Sequence, residues 1–112
     1  MKKLNVTILG AGNIGTSLAY HIGRQNHPVT MYCIEPDALK QINRKHRNKK
    51  YLRKIKLPHN IKAESELLSC LKNTDVLISA LPSHAAKIVF DEAKDNIEKH
   101  TIVACITKGL DP

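Results

Sequence analysis

The run Gly10-Ala11-Gly12-Asn13-Ile14-Gly15 has the spacing G-x-G-x-x-G and lies between an apolar stretch, Leu4 to Leu9, and a segment with helical periodicity. In that setting each glycine has its own task. Gly10 permits a tight turn. Gly12 lets the backbone approach a pyrophosphate with no side chain between. Gly15 lets a helix pack closely on a strand. A helix that begins just after Gly12 presents unpaired N–H groups and a partial positive charge to phosphates. The chemistry implied is dinucleotide binding.

Glu35 stands 20 residues beyond Gly15, directly after a second β-branched run. A carboxylate there accepts hydrogen bonds from the adenine ribose hydroxyls and repels a 2′-phosphate, which favours NAD over NADP. A solvated carboxylate before Pro36 is the plain alternative, and the basic stretch downstream offers cations that could answer a 2′-phosphate. Two further segments, Pro82-Ser83-His84-Ala85 and Thr107-Lys108-Gly109, fall at the ends of later apolar runs. Ligands of open α/β sheets sit outside such strand ends. Lys108 is either a cation held where nicotinamide and an anionic substrate meet, or a solvated lysine. His84 is either a proton shuttle or simply exposed at a helix start, and the second reading is preferred. The remaining histidines form no ligand spacing, and no metal is expected.

These residues need a scaffold, and the sequence supplies an alternating one. Strands are expected at Leu4 to Leu9, Val29 to Cys33, Ile61 to Ala63, Val76 to Leu81 and Thr101 to Ile106. Helices are expected at Asn13 to Asn26, from Pro36, at Ser65 to Leu71 with Ser65 as N-cap, and at Ser83 to Ile97. Ile14, Leu18, Ala19 and Ile22 recur at helical spacing, and His27-Pro28 ends that helix. Such alternation argues for parallel strands joined by right-handed crossovers. The expected architecture is an α/β Rossmann-type doubly wound parallel sheet of about five strands in the order 3-2-1-4-5. Near-continuous apolar strands imply that both faces of the sheet are covered.

Composition agrees with a single packed domain. The chain has 112 residues, 42% hydrophobic and 25% charged, which is ordinary for a globular protein. Its apolar stretches are too short to span a bilayer, and its start lacks the apolar region of a secretory signal. Cys33, Cys70 and Cys105 form neither a C-x-x-C pair nor a zinc spacing and lie in or beside apolar runs. They read as small buried hydrophobes in a reducing cytoplasm. The formal charge of +8 is concentrated between Ala38 and Ala63, which hold ten basic residues and no acidic one. A solvated loop is the first reading of this stretch, a nearby anionic ligand the second and nucleic acid the third. Tyr51 is the stretch's single aromatic, so a base-stacking platform is poorly supported.

Taken together, the segments resemble the N-terminal domain of NAD(P)-dependent glycerol-3-phosphate dehydrogenases, over nearly the whole chain. The resemblance rests on Gly10 to Thr16 and on Asn48-Lys49-Lys50-Tyr51-Leu52 with Leu57-Pro58 and Asn60-Ile61. It continues through Asp75-Val76-Leu77-Ile78 to Leu81-Pro82-Ser83-His84, and closes with Thr107-Lys108-Gly109-Leu110. It implies that the turn from Gly10 through Ala11 to Gly15 holds the pyrophosphate, with Asn13 and Ile14 at the family's cofactor-contacting pair. Ile14 replaces an aromatic common there. Ile34 stands where bacterial members often carry an Arg or His that tolerates NADP, and with Glu35 it looks like the NAD-preferring members. Tyr51 and Ala85 match positions that line the cofactor site in some relatives. Lys108 matches the lysine that lies against nicotinamide and substrate phosphate. Arg53 departs from the family's proline, which bears on the loop's conformation and not on the fold.

The family's reaction interconverts sn-glycerol 3-phosphate and dihydroxyacetone phosphate by hydride transfer. Its general-base lysine sits in a helical C-terminal domain, beyond Pro112. The resemblance therefore implies one dinucleotide-binding domain over 1–112, cytoplasmic, that binds cofactor without efficient catalysis. It leaves room for a homodimer and gives no reason to expect a membrane or nucleic-acid partner. The alternative of a different class is a non-catalytic NAD(P)-binding or redox-sensing module.

Overall fold

The computed structural model describes residues 2–106. The strands β1 (Val6–Leu9), β2 (Val29–Tyr32), β3 (Ile61–Glu64), β4 (Val76–Ser79) and β5 (Ile102–Cys105) alternate with the helices α1 (Asn13–Arg24), α2 (Pro36–Lys40), α3 (Leu67–Leu71) and α4 (Ser83–Ala93). The strands form one parallel sheet in the order β3-β2-β1-β4-β5, as the sequence predicts. Val6 lies opposite Val29 on one side and Val76 on the other, so the central strand is walled by β-branched neighbours.

The sheet divides the core in two. Ile8, Met31, Ile42, Leu57 and Ile61 are buried on one side, and Leu9, Leu67, Leu71, Leu77 and Ala93 on the other. Each such aliphatic side chain is worth about 1.5–3 kcal/mol of burial. α1 lies on the sheet through its smallest residues. Gly15, Thr16, Ala19 and Gly23 are buried, whereas Ile14, Leu18 and Ile22 are only half-buried along the flanks. A Cβ on Gly23 would stand 3.0 Å from Ile61 Cδ1. The apolar periodicity marks the helix and its phase, but the glycines and alanine set its closeness.

Boundaries shift slightly from those expected. α1 ends at Arg24 and is followed by Asn26 at φ 69°, before the His27-Pro28 pair. α3 starts at Leu67 with Glu66 in the N-cap position and no side-chain capping bond, so Ser65 is not the cap. Pro36 opens α2 as expected. The helix then loosens into a π-turn, Gln41–Lys45, that closes on His46 in the left-handed region at φ 54°. From that turn Asn43 reaches the outer edge of β3: its Nδ2 donates to the Ala63 carbonyl at 2.9 Å, and its Oδ1 accepts from Ala63 N–H at 2.7 Å. A side chain thus satisfies the backbone groups of an edge strand that would otherwise invite pairing.

The basic stretch is more than a solvated loop. Its charges face solvent, but its backbone is tied down: Leu57 is buried and its N–H donates to the His46 carbonyl at 2.6 Å. The rings of His46 and His59 meet edge to face, with centroids 4.4 Å apart. His46 Nδ1 is buried without a hydrogen-bond partner, and burial, then His59 and Lys56, hold the imidazole below its ordinary value of 6.5. A depressed histidine stabilises the fold above 6.5 and loses that contribution as pH falls toward the folded value, because the unfolded chain then takes up a proton the fold refuses. Urea midpoints should therefore fall as the pH drops below 6.5. The slope should flatten in His46→Asn, which tolerates the left-handed backbone. Equal slopes in the two chains would contradict this.

Two expectations are corrected at the far edge. All four residues of β5 are exposed, Ile102 at 66%, so the sheet is not covered on both faces there. β5 has a strand neighbour on one side only among the described residues, and its apolar side chains are left open. For the same reason Cys105 is exposed, while Cys33 and Cys70 are buried. Burial, followed by the Glu64 carboxylate, pushes the Cys70 thiol up to about 12, so it packs as an inert hydrophobe. Among the described residues no helix is long and apolar enough to cross a membrane, and no cluster of His, Cys, Asp or Glu is placed to hold a metal.

Candidate functional site

The strand order reverses between β1 and β4, and a cleft of about 300 Å³ opens at their carboxyl ends. The turn after β1 supplies Gly10, Ala11 and Gly12; the end of β2 supplies Ile34 and Glu35; the end of β4 and the start of α4 supply Leu81, Pro82, Ala85 and Val89. The turn is fixed by its neighbours. Gly10 N–H donates to the Tyr32 carbonyl at 3.1 Å, and Ala80 N–H donates to the Leu9 carbonyl at 3.0 Å.

The three glycines of the turn stand in three different settings. Gly10 has φ +113°, a conformation that side chains rarely adopt. A Cβ on Gly15 would collide with the Gly10 carbonyl oxygen, so the missing side chain sets how closely α1 approaches the turn. A Cβ on Gly12 would meet nothing within 4 Å. The packing around the turn therefore does not require glycine there, and the space beside Gly12 is open.

The electrostatics point the same way. Gly12 is the N-cap of α1, with no side-chain cap and no acidic residue in the first turn. The first amides of the helix are left open, with the positive end of its dipole. Glu35 is the one charged side chain lining the cleft among the described residues. It is exposed, as is Ile34 at 71%. Tyr32 borders the cleft with its phenol pushed up by burial and by the Glu92, Cys70 and Glu66 side chains, so it stays protonated. The cleft is suited to holding a ligand, and its described residues include no acid–base pair.

The structure thus gathers Gly10, Ala11, Gly12, Ile34, Glu35 and Ala85 around one cleft. Asn13 and Ile14 form the first turn of α1 beside it, exposed and half-buried respectively, and Gly15 is buried beneath. Tyr51 does not line the cleft. It is half-buried in the basic stretch, with Lys50 Nζ 5.3 Å from its ring centroid. His84 is exposed at the start of α4, as preferred. Lys108, with Thr107 and Gly109, lies outside the described residues.

One residue had no assigned role. Asn48 is 1% exposed, and its Nδ2 donates to the Ala11 carbonyl and to Thr16 Oγ1, both at 2.9 Å. Its contact crosses 37 positions of sequence, so no local pattern could reveal it. The only signal was its place at the head of the Asn48 to Leu52 block.

Comparison with known proteins gives the cleft its context. The family described as NAD-dependent glycerol-3-phosphate dehydrogenase N-terminus matches residues 5–112. A glycerol-3-phosphate dehydrogenase [NAD(P)+] of Sphingopyxis alaskensis is 38% identical over 109 residues, covering 97% of this chain and 32% of that protein. The Bacillus pumilus enzyme of the same name is 36% identical over 112 residues, covering 100% of this chain and 32% of its own. The crystal structure of glycerol-3-phosphate dehydrogenase from Coxiella burnetii superposes with a TM-score of 0.88 at 31% identity, covering 96% of this chain and 33% of that one. The chain thus spans about a third of the length of the curated relatives it matches. With a matched family that takes in the glycine turn, the cleft and the basic stretch, the chain belongs to the N-terminal domain family of NAD-dependent glycerol-3-phosphate dehydrogenases.

Proposed function

We propose that the cleft holds NAD and that this chain is the cofactor-orienting domain of a glycerol-3-phosphate dehydrogenase. The observation that carries the reading is the empty space at Gly12 beside the uncapped start of α1. A pyrophosphate placed there replaces the missing acceptors of the helix amides and meets no side chain. Gly10, Ala11, Gly12, Asn13, Ile14 and Gly15 form the phosphate turn. Ile34 offers an apolar wall to the adenine, and Glu35 accepts from the ribose hydroxyls. Ala85, being small, leaves room on the β4 side. Lys108 completes the set, against nicotinamide and substrate phosphate, and Tyr51, which stands outside the cleft, is left out of it.

Bound NAD supplies the hydride acceptor; the residues of this chain bind and orient it. The substrate pair is sn-glycerol 3-phosphate and dihydroxyacetone phosphate. The proton is handled by a lysine of a helical domain beyond Pro112, so residues 1–112 act as one binding unit. We place the protein in the cytoplasm, where free thiols persist. A homodimer is compatible with this reading. A non-catalytic NAD(P)-binding or redox-sensing module is the second reading, favoured by the lack of an acid–base pair among the described residues of the cleft.

Fluorescence titration tests the cofactor assignment. NADH should bind more tightly than NADPH, and Glu35→Ala should weaken NADH about tenfold, the worth of hydrogen bonds to a charged acceptor. The preference should narrow accordingly. Equal affinities in the unaltered chain would overturn the choice of NAD, and a preference unmoved by Glu35→Ala would put the ribose carboxylate elsewhere.

A further inference from the structure

We infer that Asn48 is a positioning residue that sets the orientation of the peptide between Ala11 and Gly12, and through it the phosphate-binding competence of the glycine turn. The inference rests on the cofactor reading of the cleft. The peptide unit is planar. The chain has no cis peptide bond among the described residues, so the Ala11 carbonyl and the Gly12 N–H point in opposite directions. The carbonyl is held from one side by two donors: Asn48 Nδ2 at 2.9 Å and Thr16 Oγ1 at 3.2 Å. Asn48 also donates to Thr16 Oγ1 at 2.9 Å, which closes a triangle of hydrogen bonds between two buried side chains and the Ala11 carbonyl. With the carbonyl fixed toward α1 and the basic stretch, the Gly12 N–H is turned toward the cleft. It makes no backbone hydrogen bond among the described residues.

The alternative orientation is close at hand. Gly12 is flanked by open space and lacks the side chain that would oppose a peptide flip. A flip would aim a carbonyl oxygen, not an amide, at a bound phosphate, replacing an attraction by a repulsion. Asn48 opposes that flip because breaking its contacts leaves buried polar groups unpartnered. Its own position is secured by the tight turn it heads, in which the Asn48 carbonyl accepts from Leu52 N–H at 2.8 Å and Tyr51 N–H at 3.2 Å. Order in the basic stretch and anion binding at the glycine turn are therefore coupled through one side-chain amide.

The test compares ligands with and without a pyrophosphate. NADH, ADP and adenosine are titrated into the isotope-labelled chain and followed by backbone amide shifts, with thermal melts in parallel. Asn48→Ala should weaken NADH and ADP about tenfold or more, the loss expected for a hydrogen bond to a charged group, and leave adenosine unchanged. Thr16→Val, nearly isosteric, should weaken ADP in the same selective way should Asn48→Ala fold poorly, and Thr16→Ser should restore it. The Gly12 amide should shift on ADP binding in the unaltered chain and stop responding in Asn48→Ala. Unchanged ADP affinity, or a parallel loss for adenosine, would overturn the positioning role while leaving the cofactor reading intact. Failure of the unaltered chain to bind NADH would overturn both.

Discussion

Gly12→Val should lose NADH binding by a hundredfold or more while its thermal midpoint stays where it was. The two halves of that result have separate causes. The fold tolerates the change because a Cβ at Gly12 meets nothing within 4 Å and the backbone, at φ −84°, is open to any L-residue. Binding does not tolerate it, because the branched side chain occupies the space through which a pyrophosphate would reach the first amides of α1. Two charge-assisted hydrogen bonds at about 1.5–3 kcal/mol each set the scale of the loss. Calorimetric titration with NADH and a melt of the same sample check both halves. An unchanged affinity would mean that the glycine turn is not the ligand's seat.

Gly15→Ala should do the opposite damage, lowering stability by about 2–4 kcal/mol, as overpacking against an unyielding neighbour does. Helix propensity alone predicts a gain, since alanine is favoured over glycine by about 1 kcal/mol in a helix. The collision decides the sign. The new methyl overlaps the Gly10 carbonyl oxygen, a backbone atom in a turn that is itself held by the Tyr32 carbonyl. Relief requires α1 to lift from the sheet, which loosens the contacts of Thr16, Ala19 and Gly23 with it. Urea unfolding of the two chains measures the difference. A stabilised Gly15→Ala chain would show that the helix has slack over the turn. The pair of substitutions separates two kinds of glycine in a single motif, one with open space beside it and one pressed against backbone.

Much of this is legible in the sequence, for a physical reason. Parallel strands buried by helices must be short apolar runs, and the turns between them are marked by Gly10, Pro28, Pro36 and Pro82, whose backbone preferences are local. Local rules therefore place the five strands and their order. The glycine turn after β1 is legible for the same reason: its three glycines lie within six residues of chain. What was not legible depends on distant partners. Asn48 reads as one more polar residue in a basic stretch until its amide is found against Ala11. Asn43 reads as a helix-weakening residue until it is found pairing with the edge of β3. Cys105 and Ile102 read as core because their strand is apolar, and apolarity cannot say which strand lies exposed at an edge of the described sheet. Gly23 carried no motif, yet it lets α1 approach Ile61.

The measurement that bears most directly on the central claim is a map of NADH-induced amide shifts on the isotope-labelled chain. The cleft account predicts saturable shifts centred on Gly10, Ala11, Gly12, Ile34, Glu35 and Ala85, the residues that three separate segments bring to the carboxyl ends of β1, β2 and β4. Shifts centred instead on the opposite end of the sheet, around Asn5, Thr30 and Thr74, would contradict it, as would saturating NADH that leaves the glycine turn unmoved.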